Sequence, residues 1–378
     1  MAGIYLHIPF CKQACYYCDF HFSTDHQDRN EMAECMATEI AMQKEFLLEP
    51  IETIYFGGGT PSLLNPAELD VILSSVYRYF SVSPVAEVTL EANPDDLMSE
   101  KLLQLRRSGI NRLSIGVQSF DNHILKYLNR AHDAEAARRC LRDARDAGFN
   151  NISMDLIYAI PGLSNGQWKE AMKEAIMFSP EHISSYSLTI EEKTVFGNWK
   201  RKGKLSPTDE ETAAQQFELL MDEMESSGFE QYEVSNFSRA GFYSRHNSNY
   251  WRQSPYLGIG PSAHSYNGTV RHSNVRNNAL YIRSIKQGII PLELEVLSEQ
   301  NRINEYILTT LRTKWGCDLK YLKNELGDDL MARCRPYILK TTELGLIELV
   351  ENVITLTRKG KLLADKIAED LMVAVKES

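Results

Sequence analysis

Between residues 1 and 235, short apolar runs suited to strands alternate with longer stretches of helical periodicity. The strand-like runs are GIYLHI (3–8), ETIYFG (52–57), AEVTLEA (86–92), NRLSIGV (111–117), NNISMDLI (150–157), HISSYSLTI (182–190) and FEQYEVS (229–235). Helical patterns occupy 28–48, 66–80, 99–108, 133–147, 166–178 and 209–227. Strand-then-helix alternation at this spacing predicts parallel β/α units. A closed barrel takes eight such units and ~250 residues. The expected fold is therefore α/β, a partial, open (β/α)6 TIM-like barrel over 1–235.

From 236 to 290 the pattern breaks into a connecting segment of aromatic- and glycine-rich loops, including HNSNYW (246–251) and GIGPSAHS (258–265). Beyond Pro291, helical patterns at 298–313, 318–325 and 328–344 lead into LIELVENVITLT (346–357), two short strands around Glu351-Asn352, and a last helix at 358–374. Helices followed by a hairpin predict a smaller α+β, winged-helix-like domain over 291–378. Its wing is not basic, so an interaction or lid role is expected rather than DNA binding.

The net charge of −10 argues against a broad phosphate-binding surface and hence against nucleic acid as a partner. No run approaches the ~18 apolar residues of a membrane span, which leaves at most transient membrane association. MAGIYLHIPF lacks a basic region followed by a signal-length apolar core and reads as a first strand, so a cytoplasmic location is expected. In that compartment seven cysteines are thiols or metal ligands rather than disulfides. Cys35, Cys140, Cys317 and Cys334, scattered on helical patterns, read as packing residues.

The other three stand together. YLHIPFCKQACYYCDF (5–20) places Cys11, Cys15 and Cys18 in a Cys-x3-Cys-x2-Cys loop directly after the first strand. Zinc knuckles pair two Cys-x2-Cys groups, and no second pair follows here. Ferredoxin clusters recruit a fourth cysteine. Three thiolates on one tight loop suit three irons of a [4Fe–4S] cube whose fourth iron stays open for a small ligand. A zinc site completed by His7 or His21 is the alternative the spacing leaves.

Other polar residues gather where that loop ends. Gly57-Gly58-Gly59-Thr60-Pro61 follows the second strand, and its glycines let a ligand approach amides closely. Glu91 ends the third strand, Gln118 ends the fourth, and Asp155 lies near the end of the fifth. Carboxyl ends of successive parallel strands face one mouth, where barrel sites sit. Two carboxylates and an amide suit a ligand bearing amine, carboxylate and ribose hydroxyls.

The cysteine spacing is the signature of the radical SAM enzymes, in which the open iron chelates and reduces S-adenosylmethionine (SAM). Together with FGGGTPSLL, LEANPDDL, GVQSF, LNRAH, MDLIYAIPG and HNSNYW…GIGPSAHS, it resembles the radical SAM family that contains oxygen-independent coproporphyrinogen III oxidase, most of all its shorter haem-chaperone branch. The resemblance spans nearly the whole chain. It implies that Cys11, Cys15 and Cys18 ligate the cluster and that Tyr5, Gly58 and Glu91 contact its SAM. It implies a second SAM set in Tyr17, Gly59, Thr60, Gln118, Arg130 and Asp155. The oxidases add a cysteine two positions after the third and a longer N-terminal extension. Here Cys18-Asp19-Phe20 follows instead, and Tyr5 is near the first residue. Both differences favour the haem-chaperone branch over oxidative decarboxylation of coproporphyrinogen III to protoporphyrinogen IX, which stands as the alternative.

In that branch HNxxYW is associated with haem binding. Neutral imidazole is a natural axial ligand, and Tyr250 and Trp251 offer flat apolar surface. His246 is thus the expected haem ligand. His264 is either a rival ligand or a hydrogen-bonding structural residue, and His7 supports the cysteine loop. His123, His132, His182 and His272 have no comparable context. The implied partners are a haem acceptor protein and an electron donor such as a flavodoxin or ferredoxin.

Overall fold

The computed structural model describes residues 2–374. Six strands run parallel and adjacent in chain order: β1 (Ala2–Ile8), β2 (Ile51–Gly58), β3 (Val82–Ala92), β4 (Arg112–Gln118), β5 (Ile152–Tyr158) and β6 (His182–Ser187). Helices Arg29–Met42, Pro66–Tyr79, Ser99–Arg107, Ala134–Asp146 and Asn165–Met177 make the crossovers. The α/β partial barrel is borne out.

Period-two alternation sorts the strand residues onto two faces. One face carries Ile4, Leu6 and Ile8, Ile54 and Phe56, Val88 and Leu90, Leu113, Ile115 and Val117, and Met154 and Leu156, all buried in the main core. Burying this apolar face under the helices is the main driving force for the unit. The opposite face carries Tyr5, Tyr55, Glu91, Arg112, Ser114, Asp155 and Ser184, and all of these line a single cavity. The barrel's interior is therefore a polar chamber, not a packed hydrophobic centre.

Residues 236–275, expected as loops, are largely ordered. Beyond β6 the sheet continues with β7 (Glu230–Glu233) and β8 (Asn236–Ser238), β8 antiparallel to β6. Beyond β1 it continues with β9 (Tyr256–Ile259), which is parallel to β1, and then with β10 (His264–Tyr266), β11 (Val270–Asn274) and β12 (Leu292–Val296). Apart from β12, whose LELEV alternates, these strands are too short for an apolar alternation to mark them in the sequence. β12 carries the large sheet past residue 291. HNSNYW lies in a short helix, Arg245–Trp251, capped by the Ser244 hydroxyl.

A second core, from Ile303 to Leu371, belongs to helices Glu299–Leu311, Leu319–Glu325, Leu330–Glu343 and Ala364–Leu371. They pack on a small sheet of β13 (Cys317–Asp318), β14 (Ile347–Val350) and β15 (Val353–Leu356), ordered β13-β15-β14 as a winged-helix unit requires. This unit is docked on the barrel: Arg312 Nε donates to Glu233 Oε1 at 3.0 Å, and Glu305, Leu308 and Thr309 wall one side of the chamber mouth. Among the described residues, no helix is long and apolar enough to cross a membrane.

Candidate functional site

The cysteine loop leaves β1 at Pro9. It is closed at its base by a bridge between Phe10 and Ser23 and by the Cys11 N–H donating to the Ser23 carbonyl at 2.9 Å. Asn129 Nδ2 holds the Ala14 carbonyl at 2.7 Å, and Tyr16 wedges against Phe196 and Trp199. Lys12 pairs with Asp95 at 2.9 Å and with Asp96, tying the loop to the end of β3. These contacts hold the backbone while the three cysteine side chains line the chamber.

Their sulfurs meet a polar chain. The Thr60 hydroxyl donates to Cys11 Sγ at 3.3 Å and receives Asn93 Nδ2 at 3.1 Å. Arg130 Nη2 donates to Asn93 Oδ1 at 2.5 Å and to the Gly116 carbonyl at 2.9 Å, while Nη1 reaches Cys15 Sγ at 3.3 Å and the Tyr17 hydroxyl at 3.4 Å. Hydrogen bonds to sulfur and a buried cation beside it stabilise thiolate. Burial works the other way and pushes the Cys11 and Cys18 thiols up to about 11 each. Left alone they hold their protons, which a metal displaces on binding. Among the described residues, no three Cys, His, Asp or Glu side chains converge on one ion-sized point. A cubane asks for a spread set, since each thiolate holds its own iron, whereas tetrahedral zinc draws its ligands to ~2.3 Å of a single centre.

The glycine run acts through packing. A Cβ on Gly59 would lie 2.7 Å from the Phe10 carbonyl oxygen, and one on Gly58, with φ +107°, would strike the His7 ring at 2.6 Å. Two of the amides read from sequence as ligand donors are committed internally. Gly58 N–H donates to Glu91 Oε2 at 3.3 Å, and Gly59 N–H donates to the Ile8 carbonyl at 2.9 Å. Glu91 also accepts from the Tyr55 hydroxyl at 2.8 Å. Burial raises Glu91 to about 7, against the Tyr55 hydrogen bond. Burial likewise raises Asp155 to about 6, and Ser114 Oγ donates to it at 3.3 Å. Gln118 sits at φ +63°, a strained backbone for a non-glycine, which turns its side chain into the chamber.

Tyr5, Tyr17, Gly58, Gly59, Thr60, Glu91, Gln118, Arg130 and Asp155 thus share one cavity of about 1200 Å³ with the three cysteines. That volume exceeds the ~300–1,000 Å³ of a cleft for one small ligand. His246 does not share it. Its ring is 1% exposed, with Nδ1 at 2.8 Å from Thr53 Oγ1 and Nε2 at 2.8 Å from the Tyr250 hydroxyl. It stacks on Tyr55 at 4.9 Å between centroids, and burial lowers it to about 3. Both nitrogens of His246, the haem ligand expected from the sequence, are thus hydrogen-bonded within the protein, and its ring is not among the residues that line the chamber. His264 is exposed on β10 and lines the chamber, as do the less exposed Tyr250, Tyr256 and Tyr266. Asn93, just past β3 in LEANPDDL, and Arg112, the first residue of β4, also line the chamber; for Arg112 the signal is polarity on an inward strand position.

Residues 5–175 match the radical SAM superfamily, and residues 297–363 match the HemN C-terminal domain. The chain is 35% identical over 371 residues to the heme chaperone HemW of Bacillus subtilis, covering 97% of this chain and 98% of that relative. It is 36% identical to the heme chaperone HemW of Lactococcus lactis, covering 85% of this chain and 84% of that relative. Its fold is that of coproporphyrinogen III oxidase (HemN) from Escherichia coli, with a TM-score of 0.84 at 22% identity, covering 98% of this chain and 90% of that one. Chamber, cysteine loop and C-terminal unit together define a radical SAM protein, a class that implies a [4Fe–4S] cluster and SAM. Within that class the chain belongs to the HemW family.

Proposed function

We propose that the chain is a haem chaperone that holds a [4Fe–4S] cluster, SAM and haem and passes haem to an acceptor protein. The observation that carries this reading is the convergence of the cysteine loop and the polar strand ends on one cavity too large for a single ligand. Cys11, Cys15 and Cys18 are the cluster ligands in this reading. Once bound, the cluster supplies one-electron reduction of the SAM sulfonium. Thr60 and Arg130 orient and charge-balance the thiolates. Tyr5, Gly58 and Glu91 shape the SAM pocket beside them, and Tyr17, Gly59, Gln118 and Asp155 serve the adjoining ligand. Arg130 spends Nη1 on the loop and Nη2 on Asn93 and the Gly116 carbonyl, so it serves both sites by positioning.

Haem would be held in the same chamber, where His264 would supply an imidazole ligand and Tyr250, Tyr256 and Tyr266 aromatic surface. The acceptor and an electron donor such as a flavodoxin or ferredoxin meet the protein in the cytoplasm, where Cys35, Cys140, Cys317 and Cys334 remain thiols.

The test is anaerobic reconstitution with iron and sulfide, followed by SAM and then haem. The expected result is a cluster absorbing near ~400 nm, SAM binding, and haem uptake that is released to an apo-acceptor. A reconstituted protein that takes up no haem overturns the chaperone reading. Conversion of coproporphyrinogen III by the same preparation would replace it with the oxidase.

A further inference from the structure

Arg112 opens β4 on the inward face and points its side chain into the chamber. It is 2% exposed. Its Nε is buried without a hydrogen-bond partner. Asp155 and Glu91 lie close enough to feel its charge, yet the hydrogen bonds they accept come from other groups. Asp155 takes the Ser114 hydroxyl, and Glu91 takes the Tyr55 hydroxyl and the Gly58 N–H. The other groups that feel it, Tyr55, Tyr232, His182 and His246, are neutral.

An arginine carries its charge throughout the range in which proteins fold. Burying it unpaired costs several kcal/mol, which chains avoid unless an anion arrives. The guanidinium fork matches a carboxylate with two parallel hydrogen bonds. A second arginine, Arg130, differs at its terminal nitrogens: half-buried in the same chamber, it directs Nη1 at Cys15 and Tyr17 and Nη2 at Asn93 and Gly116, although its Nε, like that of Arg112, has no partner.

The geometry points to Arg112 as an anion anchor on the chamber floor, which receives a carboxylate of a bound ligand. Two sources share that chemistry: a haem propionate and the α-carboxylate of SAM. The inference deepens the proposed function and depends on it only where haem is concerned.

The test pairs each acid with a neutral counterpart on the anaerobically reconstituted protein. Haem is titrated against its dimethyl ester by absorbance, and SAM against decarboxylated SAM by calorimetry. In the wild type, one acid is expected to bind at least about tenfold more tightly than its counterpart. Arg112→Gln, matched in iron content and melting, is expected to abolish that preference while leaving the neutral ligand's affinity unchanged. The pair that responds identifies the source. Wild-type protein blind to the carboxylate in both pairs overturns the inference, as does an Arg112→Gln variant that keeps the preference. If haem fails to bind at all, the chaperone reading falls and the SAM pair alone judges Arg112. If the Gln variant does not fold, Arg112→Lys, which keeps the charge and loses the fork, decides on the same pairs; an undiminished preference there contradicts the assignment.

Discussion

The loop after β1 and the helix Arg245–Trp251 both carry ligand-type side chains in compact motifs and both border the chamber, yet the three cysteines face into it while His246 is packed behind its lining. Cys11, Cys15 and Cys18 line the cavity with Thr60 and Arg130 directed at their sulfurs. His246 is packed among Thr53, Tyr55 and Tyr250, with both nitrogens occupied. A free ligand atom is an energetic liability that only function retains, whereas a saturated one contributes to the core. Residue type is therefore the weaker guide; what the donor atoms already touch decides the role.

Breaking the first half of this contrast has the largest expected effect. Cys15→Ala should leave reconstituted protein with no four-iron cluster, read as loss of the ~400 nm band and of bound sulfide, while the fold persists. A full cluster in that variant removes Cys15 from the ligand set.

The second half is sharpened by treating two histidines alike. His246→Ala leaves a cavity and strands the Thr53 and Tyr250 hydroxyls, so it should cost about 3 kcal/mol in chemical denaturation. His264→Ala sits at the exposed mouth and should change stability by less than ~0.5 kcal/mol, yet weaken haem binding. The reverse pattern would return His246 to the haem site.

A pH series probes the same burial. His246 is lowered to about 3, first by burial and then by the nearby Arg112 charge, whereas the unfolded chain takes up its proton near ~6.5. The unfolded state thus binds more protons across that interval, and the stability held above it is lost as pH falls from ~6.5 toward 3. Glu91 has the opposite sign. Its raised value of about 7 means that stability present at acid pH is lost as pH rises from the ordinary carboxylate range through 7. His246→Gln should therefore be less stable than wild type at pH 7 and close the gap steadily toward pH 4. A constant gap would show the ring to be solvated.

The smallest effect belongs to Lys12, which is 44% exposed and paired with Asp95 and Asp96 on the loop's outer side. Lys12→Ala should cost under ~1 kcal/mol and leave iron content unchanged. Loss of iron would mean that the backbone bridge between Phe10 and Ser23 does not hold the loop unaided.

Much of this organisation was legible in the residues. The six parallel strands announce themselves because their helix-facing positions are apolar at period two, and the site residues at their carboxyl ends follow from parallel topology alone. Strands β9 to β11 were hidden because runs of three to five residues leave no periodic trace. Helix Arg245–Trp251 is two turns long, too short for a pattern to emerge. Arg112 escaped because it opens its strand, away from the end where barrel sites are sought. The destination of the Gly58 and Gly59 amides depends on Glu91 and Ile8, partners distant in sequence.

The most direct test of the central claim is the electron paramagnetic resonance spectrum of the reconstituted, reduced protein with and without SAM. Three thiolates and one free metal corner should give a four-iron signal whose g-values move when the sulfonium compound is added, and Cys15→Ala should give no such signal. A reduced four-iron signal indifferent to SAM, or none at all in fully iron-loaded wild-type protein, contradicts it.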